Sequence, residues 1–174
     1  MVLPAGFTFD YPFSHVDWFP DGNQLLVSGR MAGGRPAVWA LPVAGGRTRK
    51  VLDDASFAVL SPDGKHIAYR RSGVRGSVIW VCGANGEDAV RVTGDDSSGV
   101  IPAWAVWSPN GKRLAYARGD MRTETVRLES CDLAGRARVF YSPTADRPLH
   151  SYTIPAWLPD GRVVFGLTDP PPNQ

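Results

Sequence analysis

The chain has 174 residues, a formal net charge of +2 at pH 7 and 43% hydrophobic residues. That is apolar material enough for a core, and one domain is the upper bound such a length suggests. So small a net charge excludes a broad electrostatic footprint for nucleic acid; no run approaches membrane-spanning length, and Met1-Val2-Leu3-Pro4-Ala5-Gly6 lacks the basic start and apolar core of a signal peptide.

Along the chain, Val2-Leu3 reads as the end of a strand, and Trp18-Phe19-Pro20-Asp21-Gly22 follows as the first of four related turn phrases. The others are Leu60-Ser61-Pro62-Asp63-Gly64, Trp107-Ser108-Pro109-Asn110-Gly111 and Trp157-Leu158-Pro159-Asp160-Gly161. Prolines at 20, 62, 109 and 159 recur at intervals of 42, 47 and 50 residues, a spacing that belongs to repeat architectures. In each phrase proline presets φ for the second position of a type I turn, Asp or Asn suits the third, and glycine accepts the positive φ that closes a short hairpin. Behind the turns stand Leu25-Leu26-Val27, Ile67-Ala68-Tyr69, Leu114-Ala115-Tyr116 and Val163-Val164-Phe165, apolar runs with the length of buried strands. The fourth copy has only Arg162 between glycine and strand, which predicts a tighter hairpin.

A third strand is predicted at Ala37–Leu41, Val78–Cys82 and Val126–Cys131, each ending in a glycine turn at Gly45-Gly46, Asn85-Gly86 or Gly135. More polar fourth strands follow at Thr48–Leu52, Ala89–Thr93 and Ala137–Tyr141. No helical periodicity of useful length occurs, so the fold class is all-β: a β-propeller of four-stranded antiparallel blades, whose polarity rises from inner to outer strand. The predicted boundaries are 1–12 for the end of a preceding blade, 13–54, 55–98 and 99–147 for three complete blades, and 148–174 for the first half of another. Closed rings of this type use four to eight blades, so a partial ring is expected, completed by further blades of the same chain or of another.

The Pro-Asp-Gly turn, the apolar-Ala-Tyr strand, the apolar-Trp strand and the glycine turn together resemble the TolB-type, WD-like β-propeller repeat. Ser61–Tyr69 and Trp107–Tyr116 are most similar to propeller segments linked to bacterial serine/threonine kinases or winged-helix regulators. The resemblance implies a binding or scaffold module of a larger bacterial sensory or signalling protein, with a protein or peptide partner and a place on the periplasmic side of the cytoplasmic membrane. The family also includes accessory propellers of prolyl-oligopeptidase-like peptidases, which gives the alternative of an enzyme accessory with its catalytic domain elsewhere.

Candidate chemistry within the chain is sparse, and no catalytic, cofactor-binding or metal residues are predicted. Cys82 and Cys131 each stand four residues before a turn glycine, at one repeat position in successive blades, and are expected to be buried, reduced thiols rather than a disulfide. His15, His66 and His150 are expected in loops; His15 and His150 both precede a first strand and form the nearest approach to a metal-site pattern. Asp95-Asp96-Ser97-Ser98-Gly99 resembles a cation loop in composition but lacks its alternating ligands and closing Glu, and Asp21, Asp63 and Asp160 serve the turns. Arg70, Arg71 and Arg75, and likewise Arg47, Arg49 and Lys50, are assigned to loops or outer strands as solvated faces. Neither a Gly-x-Ser-x-Gly elbow nor any kinase signature is present, so the segment is predicted not to be an enzyme, with no nucleic acid partner and no membrane insertion of its own.

Overall fold

The computed structural model describes residues 6–9, 15–72, 77–93, 100–120, 125–144, 149 and 153–167. They form strands and turns only. The first sheet contains β1 (Phe7–Thr8), β2 (Val16–Trp18), β3 (Gln24–Met31), β4 (Ala37–Pro42) and β5 (Arg49–Asp53). The second is the antiparallel meander β6 (Ser56–Leu60), β7 (His66–Ser72), β8 (Ser77–Gly83) and β9 (Val90–Arg91). The third repeats it with β10 (Val100–Trp107), β11 (Arg113–Asp120), β12 (Thr125–Asp132) and β13 (Ala137–Tyr141), and a two-stranded hairpin β14 (Ala156–Trp157) and β15 (Val163–Val164) follows. The chain divides into two compact units, residues 1–72 with 79–91, and residues 73–78 with 92–174.

The turn chemistry acts as the residues predict. Gly22, Gly64, Gly111 and Gly161 all have positive φ, between 67° and 85°. Each donates its N–H to the carbonyl three residues back, as Gly64 does to Ser61 at 2.8 Å. The side chains finish the turn: Ser61 Oγ donates to Asp63 Oδ1 (2.6 Å), and the Lys65 N–H donates to that same oxygen (3.1 Å). The His66 N–H closes back on Ser61 Oγ at 2.9 Å, and Ser108, Asn110 and Arg113 repeat the arrangement. In the fourth turn the Leu158 N–H donates to the carbonyl of Arg162, four residues on, where the Ser61 N–H donates to that of His66, five residues on, so the hairpin is tighter as expected.

Third strands and glycine turns fall where predicted, whereas the fourth strand of the second sheet shrinks to Val90–Arg91. The outward gain in polarity holds for β5, β9 and β13, which are largely exposed; it fails at β2, where Val16 and Trp18 are exposed although β6 is buried. Val2-Leu3, on which the assignment of 1–12 to a preceding blade rested, lie outside the described residues. Phe7–Thr8, further along that segment, pair with Met31 and Arg30 of β3. Residues of β2 pair with the other end of the same edge, Trp18 opposite Leu25. In the third sheet a single strand, β10, covers both stretches, from Val100 opposite Asp120 to Trp107 opposite Leu114. β1 and β2 thus both pair with β3, along different stretches of the same edge.

The core of the first unit lies between its two sheets. Leu26 and Val38 from the first sheet pack with Ala55, Ala58, Leu60, Ile67, Tyr69 and Cys82, flanked by Phe19, Val51, Leu52 and Trp80. Each fully buried aliphatic side chain contributes about 1.5–3 kcal/mol before entropy is counted. Two polar side chains fix the register of these sheets: Ser28 Oγ accepts the Ala58 N–H (3.0 Å), and Asp17 Oδ2 accepts that of Leu60 (2.8 Å). Ala58 follows a bulge in which Phe57 takes φ 52°, and the bulge leaves an N–H outside the ladder for Ser28 to receive. Trp104, at the matching place in β10, has φ 42° beside a register shift of its own.

Candidate functional site

Among the described residues, Glu129 is the one buried charged side chain, 3% exposed. It stands on β12 where the first two sheets carry Trp39 and Trp80. Leu25 pairs with Leu41 and Leu114 with Cys131, and these residues stand two places further along their strands than Trp39 and Glu129. Both indole N–H groups are buried with no hydrogen-bond partner among the described residues. Glu129, by contrast, is saturated. The Tyr116 hydroxyl, on the residue paired with it across the strands, donates to Oε2 at 2.9 Å. Arg127 Nε donates to Oε1 at 2.7 Å, and an Arg118 guanidinium nitrogen lies 3.7 Å from Oε2. In the second sheet the arginine at the position of Arg118 is Arg71, whose guanidinium sits 5.8 Å from the centre of the Trp80 ring. One arginine position thus serves a ring in one blade and a carboxylate in the next.

Burial, with Glu129 beside it, drives the Tyr116 hydroxyl well above the ordinary phenol range. The Cys131 thiol is pushed up to about 11, chiefly by burial. The Cys82 thiol is pushed up to about 12, by burial and then by Glu87. Both cysteines are free and buried, as predicted, and both stay protonated near neutrality. Neither thiol is an activated nucleophile. The cluster is suited to holding a blade together.

These shifts have a pH consequence. The thiols ionise in the unfolded chain near 9.0 but remain protonated in the folded one until about 11 and 12. The folded state therefore binds more protons in that window; the thiol contribution is fully present below pH 9.0 and is lost progressively as pH rises from there through about 11 for Cys131 and about 12 for Cys82. Each thiol steepens the loss by up to about 1.4 kcal/mol per pH unit. Denaturant titrations from neutral to alkaline pH should show this slope, and replacing Cys82 and Cys131 by Ala should flatten it.

The other predicted candidates are dispersed. His15 is half-buried rather than an exposed loop residue: its carbonyl accepts the Ser28 N–H at 2.8 Å, and burial lowers its imidazole pKa against the opposing pull of Asp17. His66 opens β7, while His150, Asp95–Gly99 and Arg75 lie outside the described residues. No group of His, Cys, Asp and Glu suited to a metal occurs among the described residues. Arg70 and Arg71 correct the loop assignment, because both belong to β7. Arg70 lies 4.4 Å from the centre of the Phe57 ring, and burial lowers its pKa to about 10. Arg49 and Lys50 are on the exposed outer strand β5, with Lys50 bonded to Asp53 at 2.6 Å. A shallow open depression of about 520 Å³ is framed by Gly22, Asn23, Gln24, Pro42, Val43 and Ala44 at one end of the first sheet. Glu129 is the residue that the sequence reading passed over; its signal was the carboxylate standing where two earlier repeats place Trp.

The chain is 35% identical over 89 residues to the Tol-Pal system protein TolB of Anaeromyxobacter dehalogenans, a match covering 50% of this chain and 20% of that protein. It superimposes on a TolB-like protein from Agrobacterium tumefaciens with a TM-score of 0.74 at 20% identity, over 94% of this chain and 61% of the other. Its repeats are TolB-type β-propeller blades. The same propeller fold accounts for a TM-score of 0.64 with a Mycobacterium tuberculosis puromycin-hydrolyzing peptidase, at 19% identity, covering 94% of this chain and 28% of the peptidase. No family model matches. The match spans about a fifth of the curated TolB relatives' length. Among the described residues of this TolB-type chain, no helix is long and apolar enough to cross a membrane.

Proposed function

We propose that this chain is a non-catalytic binding and scaffold module, a propeller segment of a larger bacterial sensory or signalling protein that works outside the cytoplasmic membrane. The observation that carries this reading is the use made of reactive residues: Glu129 is neutralised within its own blade, and both thiols are buried and protonated. A rigid sheet scaffold then leaves its turns and edges as the contact surface. The likeness to a protein named for the Tol-Pal system supports a protein partner and a periplasmic setting. Titration calorimetry against purified proteins of a Tol-Pal system is expected to give saturable binding, and panels of ester and aminoacyl amide substrates no turnover. Turnover by the purified chain overturns the reading.

The likeness to the puromycin-hydrolyzing peptidase favours a second reading, an accessory propeller of a peptidase or kinase whose catalytic domain is a separate part. That reading predicts a flat calorimetric titration with Tol-Pal proteins.

A further inference from the structure

In the second and third blades one arginine position reaches the neighbouring strand: Arg71 lies over the Trp80 ring, and Arg118 lies beside Glu129. The first blade has glycine there. Gly29 stands two places beyond Val27, the partner of Trp39, as Arg118 stands two beyond Tyr116, the partner of Glu129. Gly29 is buried, and the space beside it is filled by a ring from another strand. A Cβ at that position would overlap Phe7 Cζ and come within 2.9 Å of the Thr8 carbonyl oxygen. The Phe7 ring meets Trp39 edge-on, with centroids 6.4 Å apart and planes at 84°, and packs with Leu25, Val27 and Leu41. Phe7 thus does for Trp39 what Arg71 does for Trp80.

The two arginines belong to the strands they serve, whereas Phe7 arrives on a segment with few other ties. Phe7 and Thr8 pair with Met31 and Arg30, and the Ala32 N–H donates to the Gly6 carbonyl at 2.7 Å. Thr8 Oγ donates to the Arg30 carbonyl at 3.4 Å in an exposed position, and Phe9 is itself exposed. One half-buried ring is therefore the main anchor of residues 6–9. A segment with so few buried contacts opens at a free energy well below that of global unfolding.

We infer that residues 6–9 are a strap that opens and closes over the first blade, with the Phe7 ring, seated beside Gly29 and Trp39, as its latch. Opening bares the β3 edge at Arg30 and Met31 and the space beside Gly29, while the other strands of the blade stay paired. The device depends only on contacts within residues 6–42. It goes beyond the scaffold reading and does not rest on it, since a binding or an accessory propeller could equally carry such a strap.

Ala32 is exposed, so its amide is shielded by the bond to Gly6 and reports the strap directly. Residue-resolved hydrogen exchange of the 174-residue chain, followed by NMR, is expected to show Ala32 exchanging through a local opening that low urea does not change. Amides of β4, held between β3 and β5, are expected to exchange only through global unfolding. Phe7→Ala should speed Ala32 exchange by about tenfold and leave β4 unchanged. Gly29→Ala should do the same from the opposite side, because its methyl takes the place of the ring while every strap residue stays intact. An unchanged Ala32 rate in either variant overturns the inference. Equal acceleration of β4 overturns it too, by making residues 6–9 part of one cooperative unit with the blade. If the variants fail to fold, the wild-type chain decides: urea dependence at Ala32 equal to that of β4 rejects the strap, and its absence supports it.

Discussion

Gly64→Val is expected to lower stability by roughly 3 kcal/mol or more, against roughly 1–2 kcal/mol for Gly22→Val. Both glycines sit at nearly the same φ, 68° and 69°, so a β-branched residue meets the same left-handed strain at either. Their surroundings differ. A Cβ on Gly64 would come within 2.6 Å of Pro20 Cδ and 2.8 Å of Pro20 Cγ, whereas at Gly22 nothing lies within 4 Å. Pro20 belongs to the first turn, and its ring cannot swing aside as a flexible chain end would. The difference between the two variants therefore isolates the seating of one turn on another from the strain intrinsic to the turn. Urea midpoints at constant slope would measure it; a Gly64→Val protein with unaltered stability would refute the turn assignment.

Glu129→Ala is expected to cost about 3–5 kcal/mol, the range for breaking a buried ion pair from one side. The loss comes less from the missing attraction than from what remains: the buried Tyr116 hydroxyl loses the carboxylate oxygen to which it donates at 2.9 Å. Arg127→Ala should cost about 1 kcal/mol or less, because that side chain is 49% exposed and Tyr116 and Arg118 still hold the carboxylate. Chemical denaturation of the two variants checks the ordering, and equal small losses would show that the carboxylate is not held as the geometry indicates.

The turns are legible in the sequence because their rule is local. Proline, Asp or Asn, and glycine each need a particular backbone geometry, and nothing elsewhere in the chain can supply it. The buried thiols follow from the same regularity, since a repeat position that is apolar once is apolar again. Glu129 breaks that regularity visibly, but its partners do not announce themselves. Arg118 and Tyr116 reach it only through the register of β11 against β12, which a run of apolar letters does not specify. The bulges at Phe57 and Trp104 escape for a related reason, since an extra residue in an apolar strand leaves its composition unchanged. Arg70 reads as surface because arginine is judged by its charge, whereas its head lies over the Phe57 ring; Arg71 beside it is exposed as the sequence suggests.

Asp17 and Ser28 both belong to the first blade, and both receive backbone N–H groups from the inner strand of the second. The acceptors precede the donors in the chain by 30 and 43 residues, so during synthesis the receiving surface leaves the ribosome before the strand that needs it. The second blade can lay its first strand onto a template already made, with no wait for its own outer strands. Assembly of this pair then runs in the direction of translation, the first blade supplying the mould for the second.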